Sequence, residues 1–542
     1  MSHTTRASAE KSGLESATVA RVTRPNAEYV DDVPYIRQFV SDLAPSNLRV
    51  AAALNGLAVP PADDFDYCEL GCAHGDTLCA LAAAHPRARF IGVDLSEAHI
   101  ATAKKLARDG ALDNVGLLAR DFGELVNDDA IGELDYVVAH GVLTWISPDK
   151  RKQLLEFARA KLKPGGLLFV SYNAMPGWGS VEPLRQLVVS PVLATGPLPS
   201  SSLERARLGL EFARTLAGAG AEYFKQNPSA ATMLDTMSKT ELAYVVHEYL
   251  HDHWSPMYSA QVAWEMAQHD LQLGGVLPLF LNFRDMAIPV SLEAVFAGAK
   301  DRATFESLKD FALNEFFRRD VYVRGAPPRS PETTAAFLDH TVWCARAVGM
   351  PSERVIALPH RTLSLEGPVF DALFAVLAEE SGSIASLVGR GPLAAFGLEK
   401  VRAALVKAIL ADAVIPLTAA PSPSDATTAD GVYRVPSPYN QMMLRRLSTD
   451  TPLVLTSTIA GMAFPISTLD GLALRVLSEV RPSDRERWIR DLVGRSVIRL
   501  RVGDRMLDDP DAQAKAIGEA VDRLVKHRLA KLVELGVLVR ES

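Results

Sequence analysis

The segment Tyr67-Cys-Glu-Leu-Gly-Cys-Ala-His-Gly-Asp76 reads as the end of a strand, a tight turn and the start of a helix. Gly71 and Gly75 supply the backbone freedom such a turn needs, and they leave room for a ligand to approach the main chain beside Cys72. Taken alone, this loop fits a dinucleotide pyrophosphate held at a helix N-terminus, and equally a plain turn. The acidic residues that follow narrow the chemistry. Asp94, next to Leu95, closes a second apolar run, where a carboxylate can accept both hydroxyls of a ribose. Asp121 closes a third, where it can accept from an adenine amino group while Phe122 flanks the ring. Glu69, at the end of the first run, is placed to order the loop itself.

Carboxylates at the ends of three successive strands, combined with Gly-x-x-x-Gly, match motifs I, II and III of the class I methyltransferases. That resemblance implies S-adenosylmethionine as cofactor, with Glu69 meeting the methionyl ammonium through water. Ala73 stands where many members have a middle glycine. The alternative is a Rossmann-like sheet whose strand-end acids merely cap helices.

Four further segments share a narrower resemblance. They are Tyr29–Tyr35 with Ala44–Leu48 and Leu54–Leu57, then Leu70–Gly75, then Ser171-Tyr-Asn-Ala-Met-Pro-Gly-Trp178, and finally His247-Glu-Tyr-Leu250 with Phe317–Gly325. The set resembles bacterial methyltransferases that carry a methyltransferase regulatory domain, among them protein-lysine methyltransferases acting on outer-membrane surface proteins. An alanine in the loop is common in that group. The likeness spans Tyr29 to Gly325 and is fainter beyond, so the substrate does not travel with the fold. It implies methyl transfer to a protein amine, that of lysine, on a protein or peptide partner. A small-molecule or peptide natural-product methyltransferase is the alternative, and a cofactor-binding regulator with DNA-binding winged helices is a weaker one.

Methyl transfer is an in-line displacement governed by positioning. A lysine ammonium, with a reference pKa of about 10.4, must shed a proton first, and desolvation together with the positive charge of the donor promotes that loss. His140, in Val137-Val-Ala-His-Gly-Val-Leu-Thr-Trp145, is placed to act as a general base or to make a structural hydrogen bond while its backbone lines the cofactor. Trp145, Tyr172, Asn173 and Trp178 fall on loops after the fourth and fifth strands, where aromatic faces can hold an ammonium or its alkyl stem. His140, Tyr172 and Trp178 are the catalytic candidates, Trp145, Asn173 and Trp178 the substrate-binding ones, and Tyr35 is expected to close over the cofactor. No Asn/Asp-Pro-Pro-aromatic run follows the fourth strand, which argues against exocyclic base amines and glutamine side chains as acceptors.

The elements that must position these residues follow from periodicity. Apolar runs at Phe65–Leu70, Arg89–Asp94, Val115–Arg120, Leu134–Ala139 and Gly166–Tyr172 alternate with helical patterns at Asp76–Ala84, Ser96–Asp109 and Ser147–Leu162. Such alternation predicts a doubly wound α/β fold with a parallel sheet covered on both faces. A helical insertion over 179–253 reads as a lid or substrate platform, with helices at Leu203–Leu216 and Ser238–Leu250. The helices Ser259–His269 and Arg302–Leu313, with strands Leu271–Leu281 and Phe316–Arg324, complete a seven-stranded Rossmann-like sheet.

At 542 residues the chain should hold about three units. Residues 1–24 read as a disordered tail, 25–325 as the methyltransferase domain with its regulatory-type region at about 220–325, 326–418 and 439–542 as mainly helical winged-helix-like units, and 419–438 as a flexible linker. With 48% apolar and 23% charged residues, and no stretch of about 20 apolar residues free of charge, no membrane insertion is expected. The formal charge of −8 gives no attraction to nucleic acid. Arg-rich stretches at Phe317-Arg318-Arg319 and Arg485–Arg490 read as solvated faces. Cys68, Cys72, Cys79 and Cys344 fit neither a disulfide framework nor zinc spacing, so they read as reduced thiols in a cytoplasmic protein with no bound metal. A homodimer is compatible with this organisation.

Overall fold

The computed structural model describes residues 30, 32–190, 199, 201–346, 354–421, 431–446, 453–495, 500–502 and 505–541. The expected tail at 1–24 and residues 422–430 of the expected linker lie outside them.

Seven strands form one mixed sheet in the order β3-β2-β1-β4-β5-β7-β6: β1 Asp66–Leu70, β2 Arg89–Asp94, β3 Val115–Ala119, β4 Leu134–Ala139, β5 Leu162–Asn173, β6 Leu271–Leu277 and β7 Phe317–Arg324. The first five are parallel, and β7 runs antiparallel to both β5 and β6. The order reverses between β1 and β4, so the tips of those strands splay a crevice in which such sheets bind ligands. β6 stops four residues earlier than expected because Pro278 has no N–H for the ladder, and Leu279–Asn282 forms a 3-10 turn instead.

The helices that carry the site are α1 Pro45–Ala53, α2 Asp76–Ala84, α3 Glu97–Asp109, α4 Phe122–Leu125 and α5 Pro148–Lys161. The insertion is helical as expected: α6 Glu182–Val189, α7 Ser202–Gly218, α8 Glu222–Gln226, α9 Pro228–Lys239 and α10 Leu242–Tyr249. The single helix expected at Ser238–Leu250 is two, because the chain turns extended at Thr240. The apolar faces of these helices close a satellite core around Leu184, Leu210, Leu234 and Val246.

α2 has almost no polar face after Asp76, and Thr77 to Ala82 are all buried. A helix apolar all round must be covered on both sides. Its inner side packs on the sheet, while its outer side meets Tyr439, Met442, Met443, Val454 and Ala463 of the C-terminal unit in one continuous core. That unit therefore braces the helix that follows the cofactor loop. The middle unit builds a three-stranded sheet with Trp343 at the centre of its core, and it ends in an order of helices closed by a strand, with Leu398–Leu410 followed by Val414–Leu417. The C-terminal unit departs from it: a hairpin of Leu500–Val502 and Arg505–Leu507 interrupts the helices. The expected linker is also shorter than 419–438, since Tyr433 is fully buried and Tyr433–Arg434 pairs with Val539–Arg540.

One charge reading is corrected. Arg318 is not on a solvated face but 4% exposed, paired with Glu306, Asp310 and Asp320. It sits on a strand whose alternate residues point into the helical layer, where only a fully paired guanidinium is tolerated. Arg487 and Arg490 do face solvent.

Candidate functional site

A cleft of about 1180 Å³, measured out to its open mouth, lies over the tips of β1 to β4. From the sheet side come Gly71, Ala73, Asp94, Leu95, Asp121, Phe122 and His140, and α10 and the N-terminal segment roof it with Tyr244, His247, Glu248 and Tyr35. Sequence-distant elements thus converge on the place where the strand order reverses.

The loop is shaped for close approach. Gly71 has φ +76°, and a Cβ there would sit 2.8 Å from Val142 Cγ2, so only glycine fits. Gly75 has φ +73° and turns the chain into α2, with Ala103 equally close. Ala73 itself takes φ +45°, the left-handed region in which a glycine is at home. Cys72 is buried beneath the loop and takes no part in the cleft wall. All four cysteines are free and buried, and burial raises their thiol pKa values.

Asp94 is an organiser as well as a lining residue. Its Oδ2 accepts the Ala73 N–H at 2.9 Å, and its Oδ1 accepts Ser96 N–H at 2.9 Å and faces His99 Nδ1 at 3.2 Å. A carboxylate offers about four acceptor positions. With His99 donating, three are filled, so the structure offers a ribose one position on Oδ2 rather than the bidentate grip expected. Asp121 caps α4 in a reciprocal box with Glu124 and also takes Lys150 Nζ at 2.5 Å. Burial opposes its charge, but the bonds from Lys150 and Gly123 hold the carboxyl below its ordinary range. Capping and cleft-lining coexist in the same residue.

Glu69 lies behind the loop, 6% exposed. Burial first, then Asp76 and Asp94, push its carboxyl up to about 8, and Oε2 has no partner. An orphaned buried oxygen of this kind is costly. A cationic group arriving at the loop would complete it, which fits the ammonium of the methyl donor. With Gly71 and Ala73 offering bare backbone and Asp94, Asp121, Leu95 and Phe122 along the wall, the residues present suit S-adenosylmethionine.

His140 lines the cleft at β4 and is held there by a hydrogen bond to Ser171. Ser171 Oγ accepts Gly141 N–H at 2.9 Å and lies 3.0 Å from His140 Nδ1. Ser171 is fully buried, and its hydroxyl and Nδ1 share one hydrogen bond whose direction follows the tautomer of the ring. Burial lowers the ring's pKa to about 4. His140 is therefore a neutral ring near pH 7, hydrogen-bonded to Ser171.

Tyr172 and Trp178 are corrected more sharply. Side chains alternate along β5: Ser171 and Asn173 bond Gly141 and Glu248 of the cleft wall, whereas Tyr172 is fully buried with its hydroxyl 2.8 Å from Asp320. Trp178 packs edge-on against Trp254 and donates Nε1 to Phe316 O at 3.0 Å, away from the cleft. Neither touches the reaction space. Trp145 does, with Nε1 donating to Glu248 O at 3.1 Å. Asn173 backs the wall by donating Nδ2 to Glu248 Oε1 at 3.1 Å. Tyr35 lines the cleft edge-on to His247 at 4.9 Å, and burial together with Glu248 raises its hydroxyl pKa to about 12. Glu248 itself was not foreseen. It stood within the quoted run His247-Glu-Tyr-Leu250, but only folding carries it to the β5 tip.

Comparison with known proteins matches residues 68–168 to the family described as a methyltransferase domain. Residues 241–324, which include the roof of the cleft, match the family described as a predicted methyltransferase regulatory domain. An uncharacterized protein of Synechocystis is 32% identical over 301 residues, 55% of this chain and 59% of that protein's length. An uncharacterized protein of Rickettsia prowazekii is 32% identical over 232 residues, 42% of this chain and 90% of the relative. Among solved structures, PKMT2 from Rickettsia typhi in complex with AdoHcy shares the fold, with a TM-score of 0.69 at 21% identity over 92% of this chain and all of that one. No helix among the described residues is long and apolar enough to cross a membrane.

Proposed function

Because the chain belongs to the S-adenosylmethionine-dependent methyltransferases that carry a methyltransferase regulatory domain, we propose that it methylates a protein amine, the side-chain nitrogen of lysine. The carrying observation is the cleft wall beyond the cofactor loop, where Trp145, Tyr244 and Glu248 stand together. Aromatic faces and a carboxylate suit an ammonium on an alkyl stem. When bound, S-adenosylmethionine supplies an electrophilic methyl group. The chain's own residues bind and orient: the Gly71–Gly75 loop and Asp94 fix the donor, and α10 keeps water from the reacting atoms. His140, hydrogen-bonded to Ser171, holds the β4 tip in shape.

The PKMT2 name of the structural neighbour and the matched regulatory region support a protein acceptor, as does the surface that the insertion and the two C-terminal units add. We read those units as winged-helix-like supports. We also place the protein in the cytoplasm, in keeping with its free buried cysteines. The test is to incubate the full chain with isotopically labelled donor and a bacterial cell-surface protein extract. Mass spectrometry should then find labelled methyl groups on lysine. No label on any protein, with S-adenosylhomocysteine binding intact, contradicts the reading.

A further inference from the structure

We propose that Glu248 is the residue that receives the acceptor's ammonium and takes its proton. The inference rests on the amine-methylation reading above and names the residue that meets the acceptor nitrogen.

Adenosine recognition belongs to the tips of β2 and β3, where Asp94 and Asp121 stand. Glu248 Oε1 is anchored to Asn173 at the tip of β5, three strand positions from β2 in the order β2-β1-β4-β5. Strands are spaced about 4.8 Å apart, so the two ends lie roughly 14 Å from each other across the cleft. A donor seated with its nucleoside at one end directs its other end toward Glu248.

The carboxylates of the cleft are not equivalent. Asp94 is engaged on both oxygens by the loop and by α3, and Asp121 is neutralised by Lys150. Glu248 is bonded through Oε1 alone; no described residue bonds Oε2. Its backbone is fixed too, because Trp145 donates to the Glu248 carbonyl, which also orients the indole beside it. Burial raises the carboxyl to about 7, leaving it close to half ionised near neutral pH and ready to gain charge beside a cation. An incoming alkylammonium passes one proton to this carboxylate. The products of that step are a neutral amine with a free lone pair and a neutral carboxylic acid, so charge and atoms balance.

The test uses the full chain saturated with S-adenosylhomocysteine and two probes that share a four-carbon side chain and differ only in the terminal ammonium, Nα-acetyl-lysine methylamide and Nα-acetyl-norleucine methylamide, titrated by NMR. Wild type should prefer the lysine probe. Glu248→Gln, which keeps an oxygen for Asn173, should weaken the lysine probe at least tenfold, leave the norleucine probe and S-adenosylhomocysteine within twofold, and melt at the same temperature. Equal lysine binding in wild type and variant overturns the proposal, as does loss of S-adenosylhomocysteine binding in the variant, which would assign the carboxylate to the donor. No preference for lysine in wild type also overturns it. Failure of wild type to bind S-adenosylhomocysteine at all sinks the methyltransfer reading instead.

Discussion

Asp94 Oδ2 accepts the backbone N–H of Ala73 at 2.9 Å, and Ala73 sits at φ +45° where it donates that bond. The second strand thereby fixes the curvature of the cofactor loop. A left-handed alanine costs about 1 kcal/mol relative to glycine, partly offset because glycine loses more chain entropy on folding.

Ala73→Gly should accordingly leave S-adenosylhomocysteine affinity within about twofold and change stability by less than about 1 kcal/mol. Ala73→Val adds a branch that resists positive φ, and should lower stability by about 2 kcal/mol and weaken binding with it. Calorimetric titration and thermal melts of both variants check this pair of outcomes.

Glu69 makes stability depend on pH in the ligand-free protein. Its folded pKa, about 8, lies above the ordinary value of 4.5, so between those values the folded chain binds more protons than the unfolded one. The contribution is fully present below pH 4.5 and is lost as pH rises toward 8. Glu69→Gln should remove this slope, raising the melting temperature at pH 8 relative to wild type while weakening S-adenosylhomocysteine. Melting curves from pH 5 to 8 on both proteins decide it; an unchanged slope in the variant contradicts the assignment.

The brace on α2 gives a third outcome. Tyr439 is 2% exposed in the core shared by α2 and the C-terminal unit. Tyr439→Ala should cost about 3 kcal/mol, as for large aromatic truncations in packed cores. Because the damage is more than 300 residues from the loop in sequence but one helix away in space, donor affinity should fall as well. Thermal melts with and without S-adenosylhomocysteine read both effects.

Much of the site was legible because its chemistry is local. The glycines, Asp94 and Asp121 each end a strand, and strand ends can be read from apolar runs and turn residues. The acceptor side was not legible in the same way. Tyr172 stood in the expected place, but the twofold alternation of β5 turns it away while Ser171 and Asn173 bond the residues that line the cleft. That signal was available in the strand pattern itself. Trp178 is drawn off by the aromatic core of the insertion, which depends on residues as distant as Trp254. Glu248 lies 75 residues from its partner Asn173, and no local spacing joins them. The all-apolar character of α2 did carry a message, that something covers its outer face, though not which segment.

The most direct test of the account is calorimetric titration of S-adenosylhomocysteine into the full chain and into its Asp94→Ala variant. One saturable site per chain in wild type, with affinity reduced at least a hundredfold in a variant that still folds, is the predicted result. No binding to wild type, or equal affinity in the two proteins, would contradict it.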